Sequence, residues 1–396
     1  MKASKHVLLL LSIGLFLTAA KAQQTSNTQL GSPLPGLTSD QLTRFTQGQD
    51  AFSQVESVTD GLGPVFNDNA CAACHTTTVS GVPVVGGTNS RLETRFGRQT
   101  PNGFDPMTYA GGSLIQEQGI GAVQETLFVG ETVPAKANVV AKRRTTPLFG
   151  LGLVDAVPDQ AFKNLAALER MLTPGTAGTV ALVTNISTGS LGVGKFGWKD
   201  QNPTLFQFAG DAYLNEMGIT NPQFPDENCP QGDCDLLAFN PDKGLNDNGT
   251  DVQEFSDFMS FLAPPPRGPI TTAVQVGQSL FTNIGCANCH TTQLTTGANS
   301  VSALNQVVFH PYSDFLLHAM GTLGDGIVQG PATGSMMRTA PLWGLRFQSQ
   351  FLHDGRASTI LGAILAHDGQ GAPARYHFKQ LTDSQKLALL AFLRSL

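Results

Sequence analysis

The chain has 396 residues, with 30 acidic against 24 basic side chains and a formal charge of −6 at pH 7. An acidic, Lys/Arg-poor chain excludes nucleic acids and anionic membranes as working partners. The length suits two domains or one large one. Abundant Gly and Pro with few aromatic residues imply an interior organised by something other than aliphatic mass.

The opening MKASKHVLLLLSIGLFLTAAKAQQ has a positive start at Lys2 and Lys5, an apolar run from Val7 to Leu17, and a small-x-small site at Ala20-Lys21-Ala22. This is the pattern of a secretory signal peptide over residues 1–22, with an apolar run too short for a confident bilayer span. An uncleaved anchor is the weaker alternative. Loss of Lys2, Lys5 and Lys21 takes the formal charge from −6 to −9. No later stretch is long and apolar enough to cross a membrane, so a soluble, periplasmic mature protein is expected.

A helix is expected from about Ser39 to Val55, followed by Cys71-Ala-Ala-Cys74-His75. The same C-x-x-C-H pattern recurs as Cys286-Ala-Asn-Cys289-His290. It is the attachment pattern of c-type haem: both thiols bond to the vinyl groups and the adjacent His ligates the iron. A dithiol site does not need that His, and a zinc site needs further ligands close by. Two copies in an exported chain point to two covalently bound haems c.

Between the two motifs lies SLIQEQG at 113–119, whose Gln116 and Glu117 are candidate distal acid–base residues; polar loop residues more often face water. RTTPLFGLGL at 144–153 is echoed by RTAPLWGLRF at 338–347, in the same order relative to the two Cys motifs, which marks two related units. A long insertion, roughly 160–262, carries Trp198, Met217 and the pair Cys229 and Cys234. In an exported protein that pair is expected to form a local disulfide. LNDNGTD at 245–251 hints at calcium, but Gly244 and Phe255 occupy positions where an EF-hand needs Asp and Glu, so only a looser cation site remains. APPPRGP at 263–269 is the seam between units.

The second unit opens with a helical stretch through Val274, Gly277, Leu280 and Phe281, and closes on a helix capped by Thr382 and Gln385. Helix, Cys motif, loops and closing helix follow the order of a cytochrome c fold. Strand-like alternation is sparse. The fold class read from the sequence is therefore mainly α: two cytochrome c-like domains, 23–265 and 266–396, with long loops and a large insertion in the first.

The residue opposite each His decides between electron transfer and catalysis. No His lies between His75 and His290, so the first iron is open or meets Met, Tyr, Lys or a residue of the other unit. Met107, Met171, Met217 and Met259 are available, Met217 being the first to test, although a lone Met more often fills a core. In the second unit His310, His318, Met320, His353 and His367 are all candidates. Ser358 or Thr359 can cap a short helix on which Ile360, Ala363, Ile364 and His367 form one stripe. From the stripe alone, a hydrogen-bonded core His is the commoner outcome.

FNDNACAACH, RTTPLFGLGLVDAVPD, GKFGWK, NEMGIT, GCANCH, HPYSDFLLHAMG, RTAPLWGL and FLHDGRA together resemble the di-haem oxidoreductase family, distant relatives of bacterial di-haem cytochrome c peroxidases. The resemblance implies two cytochrome c-like domains with haems facing a shared interface. It implies reduction of hydrogen peroxide at the N-terminal haem, with electrons from a small periplasmic donor (a cytochrome or cupredoxin) entering through the C-terminal haem. In those relatives a Met fourteen residues after the His of HDG ligates the C-terminal iron. Here that position is His367, a departure that lowers the expected potential of the haem. Relatives often carry a His soon after the first Cys motif, and none occurs here. Trp198 and Trp343 are candidate electron relays, with ordinary packing the alternative for each. Two other functions compete: an electron-transfer cytochrome with both irons six-coordinate, and a haem enzyme that oxidises a partner protein.

Overall fold

The computed structural model describes residues 29–396 and, before them, the backbone of a two-residue strand at Lys21–Ala22 that pairs in parallel with Val307–Phe309. The expected signal peptide otherwise lies outside the described residues. Helix accounts for 36% and strand for 18%.

The helices are α1 (Ser39–Ser53), α2 (Cys71–Cys74), α3 (Leu151–Asp155), α4 (Asp159–Leu172), α5 (Leu205–Met217), α6 (Thr250–Phe261), α7 (Thr272–Asn283), α8 (Ile360–Ala366), α9 (Ala372–Gln380) and α10 (Asp383–Leu393). Side-chain caps start several of them. Thr38 and Gln41 form a reciprocal capping box on α1, and Thr382 and Gln385 form one on α10. Among the described residues no helix is long and apolar enough to cross a membrane.

Two helix crossings follow one local rule. α1 packs on α6 and α7 packs on α10. At each crossing a glycine lets the backbones touch: a Cβ on Gly48 would lie 2.2 Å from the Glu254 carbonyl oxygen, and one on Gly277 would lie 2.0 Å from that of Ala388. Four residues on, Phe52 and Phe281 fill the space beneath, both buried. Burying an aromatic side chain of this size is worth about 1.5–3 kcal/mol. α6 thus stands to α1 as α10 stands to α7, although the sequence reading assigned residues 250–261 to the insertion. α4 and α5, with the Cys229–Cys234 disulfide beyond them, are what is inserted.

Strands are more numerous than sparse alternation suggested, because most are short and locally paired. The longest, Leu92–Thr100, pairs antiparallel with Val139–Arg144, placing Glu93 opposite Arg143. In its sequence LETRFGRQT, Glu93 and Arg95 fall on one face and line a cavity. The main apolar core includes residues of both halves: Phe45, Phe52 and Phe258 from the first, Phe309, Phe315 and Trp343 from the second. Trp343 packs on Phe309 and over Gly150, whose missing side chain makes room for the indole. A second core gathers Val274, Phe281, Tyr312, Phe378, Leu389 and Phe392 around the α7–α10 crossing.

Candidate functional site: two cavities sharing one wall

Each C-x-x-C-H segment forms a tight turn beside a cavity. In both, the His amide donates to the carbonyl of the first Cys at 3.0 Å: His75 to Cys71, and His290 to Cys286. The first cavity, about 320 Å³, is lined by Cys71, Cys74 and His75; the second, about 450 Å³, by Cys286, Cys289 and His290. All four cysteines are free. Burial pushes the thiols of Cys71, Cys74 and Cys286 up to about 12, so they are neutral thiols, poor as redox nucleophiles or zinc thiolates. Among the described residues, Cys71 and Cys74 belong to no cluster of metal-ligating groups. Paired thiols at the cavity edge fit covalent attachment of a haem better than a dithiol or zinc site.

The imidazoles are equally suited to an iron. Burial pushes His75 and His290 down to about 4, leaving both neutral. His290 Nδ1 lies 2.9 Å from the Tyr312 carbonyl, and His367 Nδ1 lies 2.8 Å from that of Ala363. Donation from Nδ1 to a carbonyl fixes the tautomer that leaves Nε2 free to ligate. The ring centroids of His290 and His367 stand 6.3 Å apart. That spacing has room for one metal ion bound by a nitrogen of each ring at about 2.0–2.1 Å.

His367 is the C-cap of α8, whose N-cap is Thr359; Ile360, Ala363, Ile364 and His367 all line the second cavity. His318 also lines this cavity, but both its ring nitrogens have neighbours, with Nε2 2.8 Å from Asp314 Oδ2 and Nδ1 3.4 Å from Cys289 Sγ. The buried Asp314 carboxylate holds its pKa up to about 11 against the opposing effect of burial. Met320 lines the cavity next to His367. His353 gives its backbone carbonyl to Arg144 and sets its ring 6.1 Å from that of Trp198. His310 is exposed.

The first cavity is furnished differently. Among the described residues no histidine besides His75 lines it. Met217 lines it, with Sδ 3.9 Å from Cys71 Sγ, which sets the thioether beside the attachment thiol. Gln116 does not line it: its side-chain amide donates to the Asn215 carbonyl. Glu117 does line it, but the side chain is 46% exposed and sits 3.9 Å from Lys142 Nζ.

Partly buried acids of this cavity include Glu93, Asp211 and Glu216. Burial, and next the Glu93 charge, push Glu216 up to about 7. Burial opposes ionisation of Glu93, but Arg95 and Arg143 outweigh it and hold that carboxyl low. Glu93 and Glu216 line the same cavity, and Asn67 Nδ2 donates to Glu216 at 2.7 Å. The available sequence signals were the Glu-Thr-Arg alternation at 93–95 and the Glu216-Met217 pair at the end of a helix. Neither points to a cavity without the fold.

Arg144, Thr145, Thr146 and Trp198 line both cavities and form the wall between them. Trp198 Nε1 donates to the Arg144 carbonyl at 2.7 Å. Trp343, the other candidate relay, lines neither cavity and serves the core. In the 245–251 loop the Asp247 carboxylate accepts from the Asp251 and Val252 amides at the start of α6.

Residues 129–396 match the family model described as "Di-haem oxidoreductase, putative peroxidase". The chain belongs to this di-haem oxidoreductase family. No curated protein matches it in sequence. Solved structures similar to this di-haem oxidoreductase include Kuenenia stuttgartiensis hydrazine synthase pressurised with xenon, at 13% identity and TM-score 0.40, covering 100% of both chains. A MauG-like protein associated with microbial copper homeostasis gives 14% identity and TM-score 0.39, covering 93% of each chain. A variant of the di-haem peroxidase BthA from Burkholderia thailandensis gives 13% and 0.39, covering 93% of this chain and 88% of that one.

The wall of the di-haem oxidoreductase is held from behind by a buried ion cluster. Asp325 Oδ2 accepts from Arg143 Nε at 2.8 Å and Asp325 Oδ1 lies 2.9 Å from Lys199 Nζ, with all three side chains at most 1% exposed. Burial alone would raise the Asp325 pKa, but the two cations lower it. Asp325→Asn leaves two buried cations without their anion. It is expected to cost about 3–5 kcal/mol, measured as a fall in the urea midpoint of the holoprotein; a change under 1 kcal/mol would contradict the role given to Asp325.

Proposed function

We propose that the chain is a periplasmic c-type di-haem peroxidase that reduces hydrogen peroxide at the N-terminal haem. In this reading Cys71, Cys74 and His75 attach and ligate one haem, and Cys286, Cys289 and His290 the other. Residues 23–265 and 266–396 are their two cytochrome c-like domains. Electrons come from a small periplasmic donor, a cytochrome or cupredoxin, through the C-terminal haem.

The observation that carries the reading is the asymmetry of the two cavities. His290 faces a second imidazole, His367, which suits an iron that only passes electrons. Among the described residues His75 shares its cavity with no other His but with Glu93 and with Glu216, whose carboxyl burial and the Glu93 charge push up to about 7. That suits a site where a small oxidant is protonated as it is cleaved.

Bound haem supplies the redox chemistry, in which one hydrogen peroxide takes two electrons and two protons to give two waters. The chain's own residues manage the protons. Glu216 holds one on its carboxyl near neutral pH and can deliver it to the leaving oxygen. Glu93, kept ionised by Arg95 and Arg143, then stabilises the returning proton on Glu216. A positioned carboxyl of this kind contributes about 10²–10⁴-fold in rate. Trp198, on the shared wall, offers an aromatic ring between the two cavities for electron passage.

Two pairs of substitutions test this reading separately. Glu216→Gln should lower the rate of peroxide reduction by about 10²–10⁴-fold, while the half-exposed Glu117→Gln should cost less than about tenfold. Steady-state turnover with an artificial reductant measures both, and equal losses would remove the assignment of Glu216. His367→Gly should convert one haem from low to high spin in the ferric absorption spectrum, and His318→Gly should not. The reverse pattern would move the ligand to the 310–321 stretch.

A further inference from the structure

The echoed segments RTTP and RTAP place Arg144 and Arg338 at the same step of each unit. Both guanidiniums are buried, at 6% exposure each. Their surroundings differ in one respect. Arg338 Nε donates to the Gly197 carbonyl at 2.8 Å and lies 3.5 Å from an Asp200 carboxyl oxygen, so an acidic side chain of the protein stands beside it.

Among the described residues Arg144 has only neutral partners. One terminal nitrogen donates to Thr88 Oγ1 at 3.1 Å and the other to Gln348 Oε1 at 3.4 Å. Its Nε is buried without an acceptor. Burial lowers its pKa and no carboxylate offsets this. The backbone around it is fixed from both sides. The Arg144 amide donates to the His353 carbonyl at 2.6 Å, and its carbonyl accepts from Trp198 Nε1.

Gly355, in the left-handed region at φ 73°, passes over the side chain: a Cβ there would lie 3.2 Å from Arg144 Cδ and 3.3 Å from Gln350 Oε1. The Gln350 oxygen is itself buried without a donor, and it too is uncharged. A buried cation without an anion is costly, and buried charges in native proteins are paired. Arg144 is the charged residue that lines both cavities and carries no counter-charge, since Arg143 on the same strand already has Asp325.

The geometry points to Arg144 as a carboxylate clamp in the wall between the cavities, holding a propionate of a bound haem. The inference rests on the di-haem reading above and goes beyond it by assigning the anion that completes Arg144. The planar guanidinium fork matches a carboxylate, which a lysine ammonium does not. A cation fixed beside a haem edge disfavours the more positive, ferric form, so it raises the potential of the haem whose propionate it holds. Its place in the wall makes Arg144 a positioning residue for the haem and leaves proton transfer to the glutamates.

The test uses the holoprotein and its Arg144→Gln and Arg144→Lys variants. Haem content is measured by pyridine haemochrome, and both midpoint potentials by spectroelectrochemical titration. Arg144→Gln should lower the potential of at least one haem, and the haem that moves more identifies which cavity supplies the carboxylate. Arg144→Lys should restore most of that potential, because the charge is kept. Two loaded haems with potentials unmoved by Gln, or moved equally by Gln and Lys, would overturn the clamp and leave the di-haem reading intact. A wild-type chain with fewer than two haems would overturn the di-haem reading itself. If the variants fail to load haem, resonance Raman of the wild-type holoprotein decides. A propionate-bending band of a strongly hydrogen-bonded carboxylate supports the clamp, and only solvent-exposed bands overturn it.

Discussion

Asp325 is the anchor on which the two cavities depend. It comes from the C-terminal half and is buried between Arg143 and Lys199 of the N-terminal half. Arg143 stands next to Arg144 at the end of the strand, which runs on into Thr145 and Thr146, and Lys199 follows Trp198, so one carboxylate positions both pieces of the shared wall. Buried ion pairs seldom add net stability over apolar packing of the same volume, but breaking one leaves a stranded charge. Such a cluster specifies geometry: the two halves meet at one register, with the wall between the cavities.

From that wall the two sides diverge in chemistry. Toward the second cavity the chain presents an apolar helix stripe ending in His367, and a carbonyl-fixed His290 across from it. Toward the first it presents a charged strand, with Glu93 and Arg95 on one face and Arg143 opposite Glu93. The low dielectric that makes the imidazoles neutral ligands also lifts Glu216 to a pKa of about 7. Burial therefore sets both the ligand state and the acid–base state, with opposite consequences for a base and an acid.

Much of this was readable in the sequence, because the informative signals were local. The paired Cys motifs, the capping box at Thr382 and Gln385, the cap at Thr359 and the disulfide at Cys229 and Cys234 each involve residues a few positions apart. The acids of the first cavity were not readable, because Glu93 and Glu216 are brought together only by the fold. The sequence pointed instead to Gln116 and Glu117, in a polar loop next to the strand, and the structure spends Gln116 on the Asn215 carbonyl. The strand content was underestimated for a related reason. Alternation in Leu92–Thr100 is of charge against neutral residues, since Glu93 and Arg95 on one face line a cavity and are not packed in an apolar core. Trp198 and Trp343 looked equivalent in sequence, and only the packing separates the wall residue from the core residue.

In the proposed function the two haems sit in unequal surroundings, one iron between two imidazoles and one open beside Glu93 and Glu216. Electron paramagnetic resonance of the oxidised wild-type holoprotein addresses it most directly, with and without cyanide. The account predicts one low-spin signal indifferent to cyanide and one high-spin signal that cyanide converts to low spin. Two low-spin signals, neither altered by cyanide, would contradict it and leave a protein that only carries electrons.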